Sequence, residues 1–291
     1  MAKCLVTGHK GYIGAKLYDT LKSQGHSVLG IDLLDSEDPI NLVEELAEDS
    51  RGNIESKFFD FGPEYVFHLA CWPRVGLGIE KPLDTMKNNV IAGSTILNFS
   101  RKVGTVKRLI YSSSSSIFGN GHGPTTPYAI QKYTTELECG VYSSIFGLDT
   151  VSLRYFNVYS EDQPAEGPYA TAISNWMKAI RKNNVPFITG DGEQRRDMVH
   201  LDDVISANLF CMNREEAFNG LVCDVGTGKN ISLNEVKEIV QKSHNVSFEY
   251  KPPRLGEVMY TKADTSTLSD LGWKASISLV DGITKCFDFE A

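Results

Sequence analysis

Tyr128 and Lys132 stand four residues apart within a helical pattern, so a helix puts both on one face. A free tyrosine titrates near ~10 and is a poor base at neutral pH. A neighbouring ammonium stabilises the phenolate and lowers that pKa. The pair therefore suits removal of a proton from a substrate hydroxyl. Upstream, the strand pattern Val106–Tyr111 leads into five serines, Ser112–Ser116. In an open α/β sheet, ligands bind outside the carboxyl ends of the strands. A serine hydroxyl there can donate to the oxygen that Tyr128 deprotonates.

A second constellation lies near the start of the chain. The strand pattern Cys4–Thr7 runs into Gly8-His9-Lys10-Gly11-Tyr12-Ile13-Gly14 and then a helix. Glycines at 8, 11 and 14 let the backbone turn tightly, approach a pyrophosphate and pack the helix on the sheet. Asp32 ends the second strand pattern, 18 residues after Gly14. A carboxylate there accepts hydrogen bonds from both adenosine ribose hydroxyls and repels a 2′-phosphate. No arginine follows it; Leu33, Leu34 and Asp35 do. NAD is therefore expected over NADP, with Lys10 read as a surface lysine.

Both constellations need a scaffold that brings strand ends together. Short apolar runs at Cys4–Thr7, Ser27–Ile31, Tyr65–Leu69, Val106–Ser112 and Thr150–Leu153 alternate with helical patterns. The helices fall at Tyr12–Gln24, Pro39–Ala47, Leu83–Val103 and Tyr128–Phe146. This alternation predicts βαβ units and a Rossmann-type, doubly wound parallel sheet. Beyond Tyr159 the pattern loosens and gathers prolines, with helices near 170–182, 202–213 and 232–243. The expected division is an NAD-binding domain over 1–158, with a segment returning to it near 187–213. A smaller α/β substrate-binding domain takes 159–186 and 214–291.

Composition removes other classes. The 291 residues carry 29 Lys and Arg against 37 Asp and Glu, for a net charge of −8. An acidic chain without a basic block suits neither nucleic acid nor an anionic membrane. The 41% hydrophobic content is that of a globular protein. Six cysteines form no C-x-x-C pair and read as buried thiols in a reducing compartment. Six scattered histidines offer no metal spacing, so no metal is expected. No apolar run reaches the ~18–20 residues that span a bilayer, and the chain enters a strand pattern without a signal peptide. A soluble, cytoplasmic protein is the expectation.

With these residues in view, the chain resembles the extended short-chain dehydrogenase/reductases of the nucleotide-sugar epimerase/dehydratase family, and within it the UDP-galactose 4-epimerases. The likeness runs nearly end to end. It includes Thr7–Gly14, Asp32, His68–Ala70, Asn88–Val90, Ser112–Gly119, Tyr128–Lys132, Leu153–Asn157, Gly190–Gly192, Arg196-Asp197, Arg254–Glu257, Ala263-Asp264 and Leu271–Trp273. The resemblance implies roles. Tyr128 is the base, Lys132 its partner and a holder of the nicotinamide ribose, and Ser114 the catalytic hydroxyl. Gly8, Gly11, Tyr12, Ile13, Gly14, Asp32, Asn53, Ile54, Leu69, Ala70, Asn89, Ser112 and Tyr155 surround NAD. Asn157 stands beside the sugar diphosphate, and Arg196 and Arg254 clamp it, as planar guanidinium forks suit phosphate oxygens.

The family's dehydratases and decarboxylases carry carboxylates just after the catalytic hydroxyl. Here Ser115 and Ser116 occupy those positions and cannot serve as acid or base near neutral pH. The resemblance then implies epimerisation at C4 of a nucleotide-diphosphate sugar, a UDP-sugar being favoured. A reductase, dehydratase or other epimerase of the family is the alternative, and a non-catalytic NAD-binding regulator a more distant one. Thr261 matches a pocket position that varies in bulk, and its small side chain implies room for an N-acetyl group. The family also dimerises through two helices, here 83–103 and 128–146. Leu83, Met86, Ile91, Leu97, Phe99, Tyr133, Leu137, Val141 and Ile145 are the apolar residues expected at that face. The stretches Ile31–Tyr65 and Gly119–Tyr128 are short for the family.

Overall fold

The computed structural model describes residues 1–32, 54–73, 75–167, 170–253 and 258–288. Lys3–Thr7 forms β1 and buries every side chain but the first, as a strand covered on both faces must. Tyr12–Ser23 is α1, Ser27–Ile31 is β2, Ile54–Phe61 is α2 and Tyr65–His68 is β3. The expected helix at Pro39–Ala47 lies outside the described residues. Arg108–Ser114 is β4, followed by a single 3₁₀ turn over Ser115–Phe118. Six strands make one sheet in the order β2-β1-β3-β4, then β5 (Thr150–Tyr155) and β9 (Leu221–Val225). β1 pairs in parallel with both β2 and β3, and β3 with β4. The chain thus runs outward from β1 to β2 and returns on the other side of β1 at β3. That reversal is the topological switch point at which such sheets bind ligands.

The helix expected over Leu83–Val103 is divided. Val75–Glu80 is α3 and Pro82–Met86 is α4; a π-helical turn over Lys87–Ile91 then leads into α5, Ala92–Val103. Pro127–Phe146 is α6, capped by the Thr126 hydroxyl and closed by Gly147 in the left-handed region. Leu97 and Phe99, expected on an outward apolar face, are instead buried in the core with Leu5, Val66 and Leu109. At these two positions α5 serves the core, where Phe99 also packs on Phe58 and Phe59 of α2. Leu83, Met86, Ile91, Tyr133, Leu137, Val141 and Ile145 are exposed as expected.

By contacts the chain forms two compact units. The first is Met1–Ile117, Pro124–Arg154 and Asn208–Cys223; the second is Phe118–Gly123, Tyr155–Ala207 and Asp224–Ala291. The segment returning to the first unit is therefore 208–223, where the sequence pattern suggested 187–213. Arg108 at the start of β4 explains the difference. Its Nε donates to Asp149 Oδ2 at 2.6 Å, and its other nitrogens donate to the carbonyls of Cys211, Arg214 and Glu216. Asp149 in turn accepts from the N–H groups of Phe218 and Asn219. One buried ion pair thus collects the end of α8 (Leu201–Asn213) and the loop before β9. Asn157–Tyr159 is β6, Ala172–Arg181 α7, Phe187–Thr189 β7 and Arg195–His200 β8. Asn230–Ser232 is β10, Leu233–Ser243 α9, Glu249–Lys251 β11, Ser266–Asp270 α10 and Leu279–Phe287 α11. In the second unit β8 lies between β10 and β6, and β7 pairs with β11. Trp176, Ile173, Val236, Ile283 and Phe287 fill its core. No described helix is long and apolar enough to cross a membrane.

Removing the guanidinium takes the ion-pair partner from Asp149 and the donors from the carbonyls of Cys211, Arg214 and Glu216. Arg108→Met should lower the unfolding free energy by about 3 kcal/mol, the low end for breaking a buried pair. A urea titration checks this, and a loss within the error of the titration would show that the node is dispensable.

Candidate active site

At the end of β1 the chain turns through Gly8, whose φ of +74° lies in the left-handed region that side chains rarely adopt. A Cβ on Gly14, in the first turn of α1, would stand 2.0 Å from the Gly8 carbonyl oxygen. A Cβ on Gly8 would stand 2.8 Å from the Ala70 nitrogen. The turn, the helix and the residues after β3 are therefore as close as backbones can be. Gly11 is the N-cap of α1, with Tyr12 and Ile13 opening it, and no side chain caps this end. A helix start with its positive dipole end approached this closely by backbone suits a pyrophosphate. Asp32 follows β2, and its Oδ2 accepts the Lys10 N–H at 3.0 Å, which sets the carboxylate beside the glycine turn. These features fit a dinucleotide.

The residues after β3 are tied to β1. Leu69 N–H donates to the Thr7 carbonyl, and Ala70 N–H to the Thr7 hydroxyl. The same hydroxyl bonds His68 Nδ1 at 2.7 Å. Burial, and then the charge of Lys132, push the His68 imidazole down to about 3, so it is neutral. Asn89 stands in the π-helical turn and is buried. Its Oδ1 accepts from Trp72 N–H at 2.7 Å, and its Nδ2 donates to the Trp72 carbonyl and to Gln131 Oε1. The amide expected along the cofactor thus holds the turn that follows Leu69 and Ala70. Ile54 opens α2 but is buried in the hydrophobic core. Asn53 lies outside the described residues.

The catalytic candidates meet at β4 and α6. Tyr128 and Lys132 are one turn apart on α6, as the spacing predicts. Lys132 is buried, and its Nζ donates to the Ser112 carbonyl at 2.6 Å and lies 5.1 Å from the Tyr111 ring centre. The ammonium is therefore held at the serine end of β4. Ser114 is the last residue of β4, and its hydroxyl accepts the Ser116 N–H. One turn beyond Lys132, buried Glu136 accepts from Ser113 Oγ at 2.6 Å and from two nitrogens of Arg154. Glu136 and Gln131 escaped the sequence reading. Glu136 continues the four-residue spacing of Tyr128 and Lys132, which is the signal that could have found it.

The remaining candidates belong to the second unit. Tyr155, buried, begins its first long segment. Asn157 on β6 and Arg196 on β8 line one cavity of about 280 Å³. Trp176, Phe187 and Leu233 give it apolar walls, and Asn175 and Thr189 add polar groups. Thr261 bonds Asn157 and the backbone of Asp197. Asp197 is buried, and its carboxylate accepts from Thr227, Gly228 and Ala263. Burial pushes that carboxyl up while these four donors pull it down. Arg254 lies outside the described residues.

A parallel sheet with a glycine turn at its switch point, and a Ser–Tyr–Lys set on β4 and α6, defines the short-chain dehydrogenase/reductase class. Within that class the chain belongs to the NAD dependent epimerase/dehydratase family, whose profile matches residues 4–226. It is 32% identical to a putative UDP-glucose 4-epimerase of Methanocaldococcus jannaschii, over 97% of this chain and 96% of that one. Its fold is similar to the crystal structure of a Thermotoga maritima UDP-glucose 4-epimerase with UDP-glucose, at a TM-score of 0.89 and 29% identity; 98% of this chain and 97% of that chain are covered. It is also similar to a UDP-N-acetylglucosamine 4-epimerase from Methanobrevibacter ruminantium in complex with UDP-N-acetylmuramic acid, at 0.86 and 29%, with the same coverage.

Gly14→Ala drives a methyl group into the Gly8 carbonyl. The variant should purify with at least tenfold less NAD than the parent chain, by mass spectrometry of the denatured supernatant, since about 1.4 kcal/mol of lost binding already gives that factor. Unchanged NAD content would show that the turn does not hold the cofactor.

Proposed function

We propose that this chain is an NAD-dependent epimerase acting at C4 of a UDP-hexose, with UDP-N-acetylhexosamine accepted as well. The observation that carries the reading is the buried Lys132 ammonium anchored to the Ser112 carbonyl, one helical turn from Tyr128. NAD, when bound, supplies reversible hydride transfer; the glycine turn, Asp32, Leu69 and Ala70 would hold its adenosine and pyrophosphate, and Lys132 its nicotinamide ribose. Tyr128 takes the proton of the C4 hydroxyl and later returns it. The Ser114 hydroxyl holds the same oxygen. The Lys132 charge favours the phenolate form of Tyr128. Ser115 and Ser116 offer no carboxylate to remove a proton from a neighbouring carbon, so elimination has no base at that position.

Epimerisation requires the sugar to present both faces while the nucleotide stays fixed. Arg196 supplies a charge for the diphosphate, and the cavity it shares with Asn157, Trp176 and Phe187 has the mixed lining of a nucleotide site. Thr261 is small enough to leave room beside a C2 acetamido group. The relative from Methanobrevibacter ruminantium, named for an N-acetylated substrate, supports that breadth. The exposed apolar residues Leu137, Val141 and Ile145 recur along α6, with Leu83, Met86 and Ile91 exposed on the helical run before β4. They support a homodimer joined through these helices. None of the six cysteines is in a disulfide and five are buried, which suits the cytoplasm.

A panel of UDP-, GDP-, dTDP- and CDP-sugars, with C4 configuration followed by NMR, should show inversion on UDP-hexose and on its 2-acetamido counterpart. Tyr128→Phe should reduce turnover about 10²–10⁴-fold, the usual worth of a positioned base. Full activity in that variant would remove the catalytic assignment, and inactivity on the acetylated sugar would remove the broad specificity. Light scattering should give a dimer mass that Leu137→Glu converts to monomer; a monomeric parent chain would contradict the interface.

A further inference from the structure

Asn157 has two amide hydrogens, and both are spent inside the protein. Nδ2 donates to the Asp197 carbonyl at 2.8 Å and to Thr261 Oγ1 at 3.2 Å. A carbonyl can only accept, so the contact with Asp197 fixes which end of the amide is nitrogen. Thr261 Oγ1 is an acceptor in both of its bonds, since it also takes the Asp197 N–H at 3.2 Å. Thr261 is itself held in place: its N–H donates to the Arg195 carbonyl, and its carbonyl accepts from Asp197 N–H. Among the described residues no donor takes Asn157 Oδ1. Asn157 nonetheless lines the cavity that Arg196 also lines. The group Asn157 offers a ligand is therefore a bare carbonyl oxygen.

We infer that Asn157, oriented by Thr261, recognises a hydroxyl or N–H of the bound nucleotide sugar, and not its diphosphate. Phosphate oxygens only accept, and an amide oxygen beside them is repulsive; Arg196 is the group suited to the anion. A donor on the sugar or on the nucleoside completes the amide instead. Thr261 is then a positioning residue for Asn157, in addition to leaving space by its small size. Valine has nearly the same shape but cannot accept the amide hydrogen, whereas serine can. This inference deepens the proposed function and rests on the ligand being a nucleotide sugar.

The test is a ladder of ligands, each lacking one part of the last: UDP-glucose, UDP, UMP and uridine. Their dissociation constants are measured by calorimetry on the NAD-loaded protein and on Asn157→Ala. A lost hydrogen bond of ordinary strength weakens binding about tenfold. A penalty confined to UDP-glucose places the donor on the sugar, and an equal penalty down to uridine places it on the nucleoside; either supports the inference. A penalty that disappears on removing the β- or the α-phosphate, or no penalty at all, overturns it. Thr261→Val should reproduce the Asn157→Ala pattern at part of its size, and Thr261→Ser should stay within about twofold of the parent chain. If valine has no effect, or serine is as damaging as valine, Thr261 does not position the amide. Failure of the parent chain to bind or epimerise any nucleotide sugar would instead remove the functional reading itself.

Discussion

Three backbones meet at the end of β1 with no space for a side chain between them. The carbonyl of Gly8 lies where a Cβ of Gly14 would be, and Ala70 lies against Gly8. This contact joins the first strand, the first helix and the residues after β3 at the sheet's switch point. Everything that would hold a dinucleotide depends on it. Asp32 reaches the turn through the Lys10 N–H, and the Thr7 hydroxyl ties Ala70 and His68 to the same strand end. Close packing here is a requirement for approach, since a pyrophosphate can lie on a backbone only where no side chain intervenes.

The second organising feature is α6. It presents Tyr128, Lys132 and Glu136 at successive turns. Lys132 holds the Ser112 carbonyl, and Glu136 holds Ser113 while paired with Arg154 of β5. Gln131, on a different side of the helix, donates to Thr85 and accepts from Asn89. The buried side chains of Lys132, Glu136 and Gln131 are thus each matched by partners on other elements, as low dielectric demands. The serine end of β4 is held by two charged side chains, so its hydroxyls are presented on a rigid edge. In the second unit the buried Asp197 carboxylate gathers Thr227, Gly228 and Ala263 with four donors, and the backbone of the same residue positions Asn157 and Thr261. These donors offset part of the cost of burying the carboxylate, while burial still holds its carboxyl above the usual range.

Much of this was legible in the chain because it is local. Glycine spacing after an apolar run, an acidic residue at the next strand end, and a Tyr–Lys pair one helical turn apart each need only a few neighbouring residues to be read. The strands and long helices follow from periodicity for the same reason. The π-helical turn was not legible. It interrupts a helix of good propensity and turns Asn89 inward to Trp72 and Gln131, which is decided by packing. Leu97 and Phe99 have the same apolar character as Leu137 and Val141, yet the former pair is buried and the latter exposed. The packing of α5 on the sheet and on α2 makes that distinction.

The sequence by itself determined the class of fold, the glycine turn and the spacing of the candidate catalytic side chains, since those are properties of residue type and short spacing. Tertiary structure decided the state in which the side chains are presented. It left His68 neutral by burial, drew 208–223 back to the first unit through Arg108, and spent both amide hydrogens of Asn157 on partners 40 and 104 residues away. Hydrogen-bonding capacity left over for a ligand is what remains after such distant partners are satisfied, and no local pattern records how it is divided.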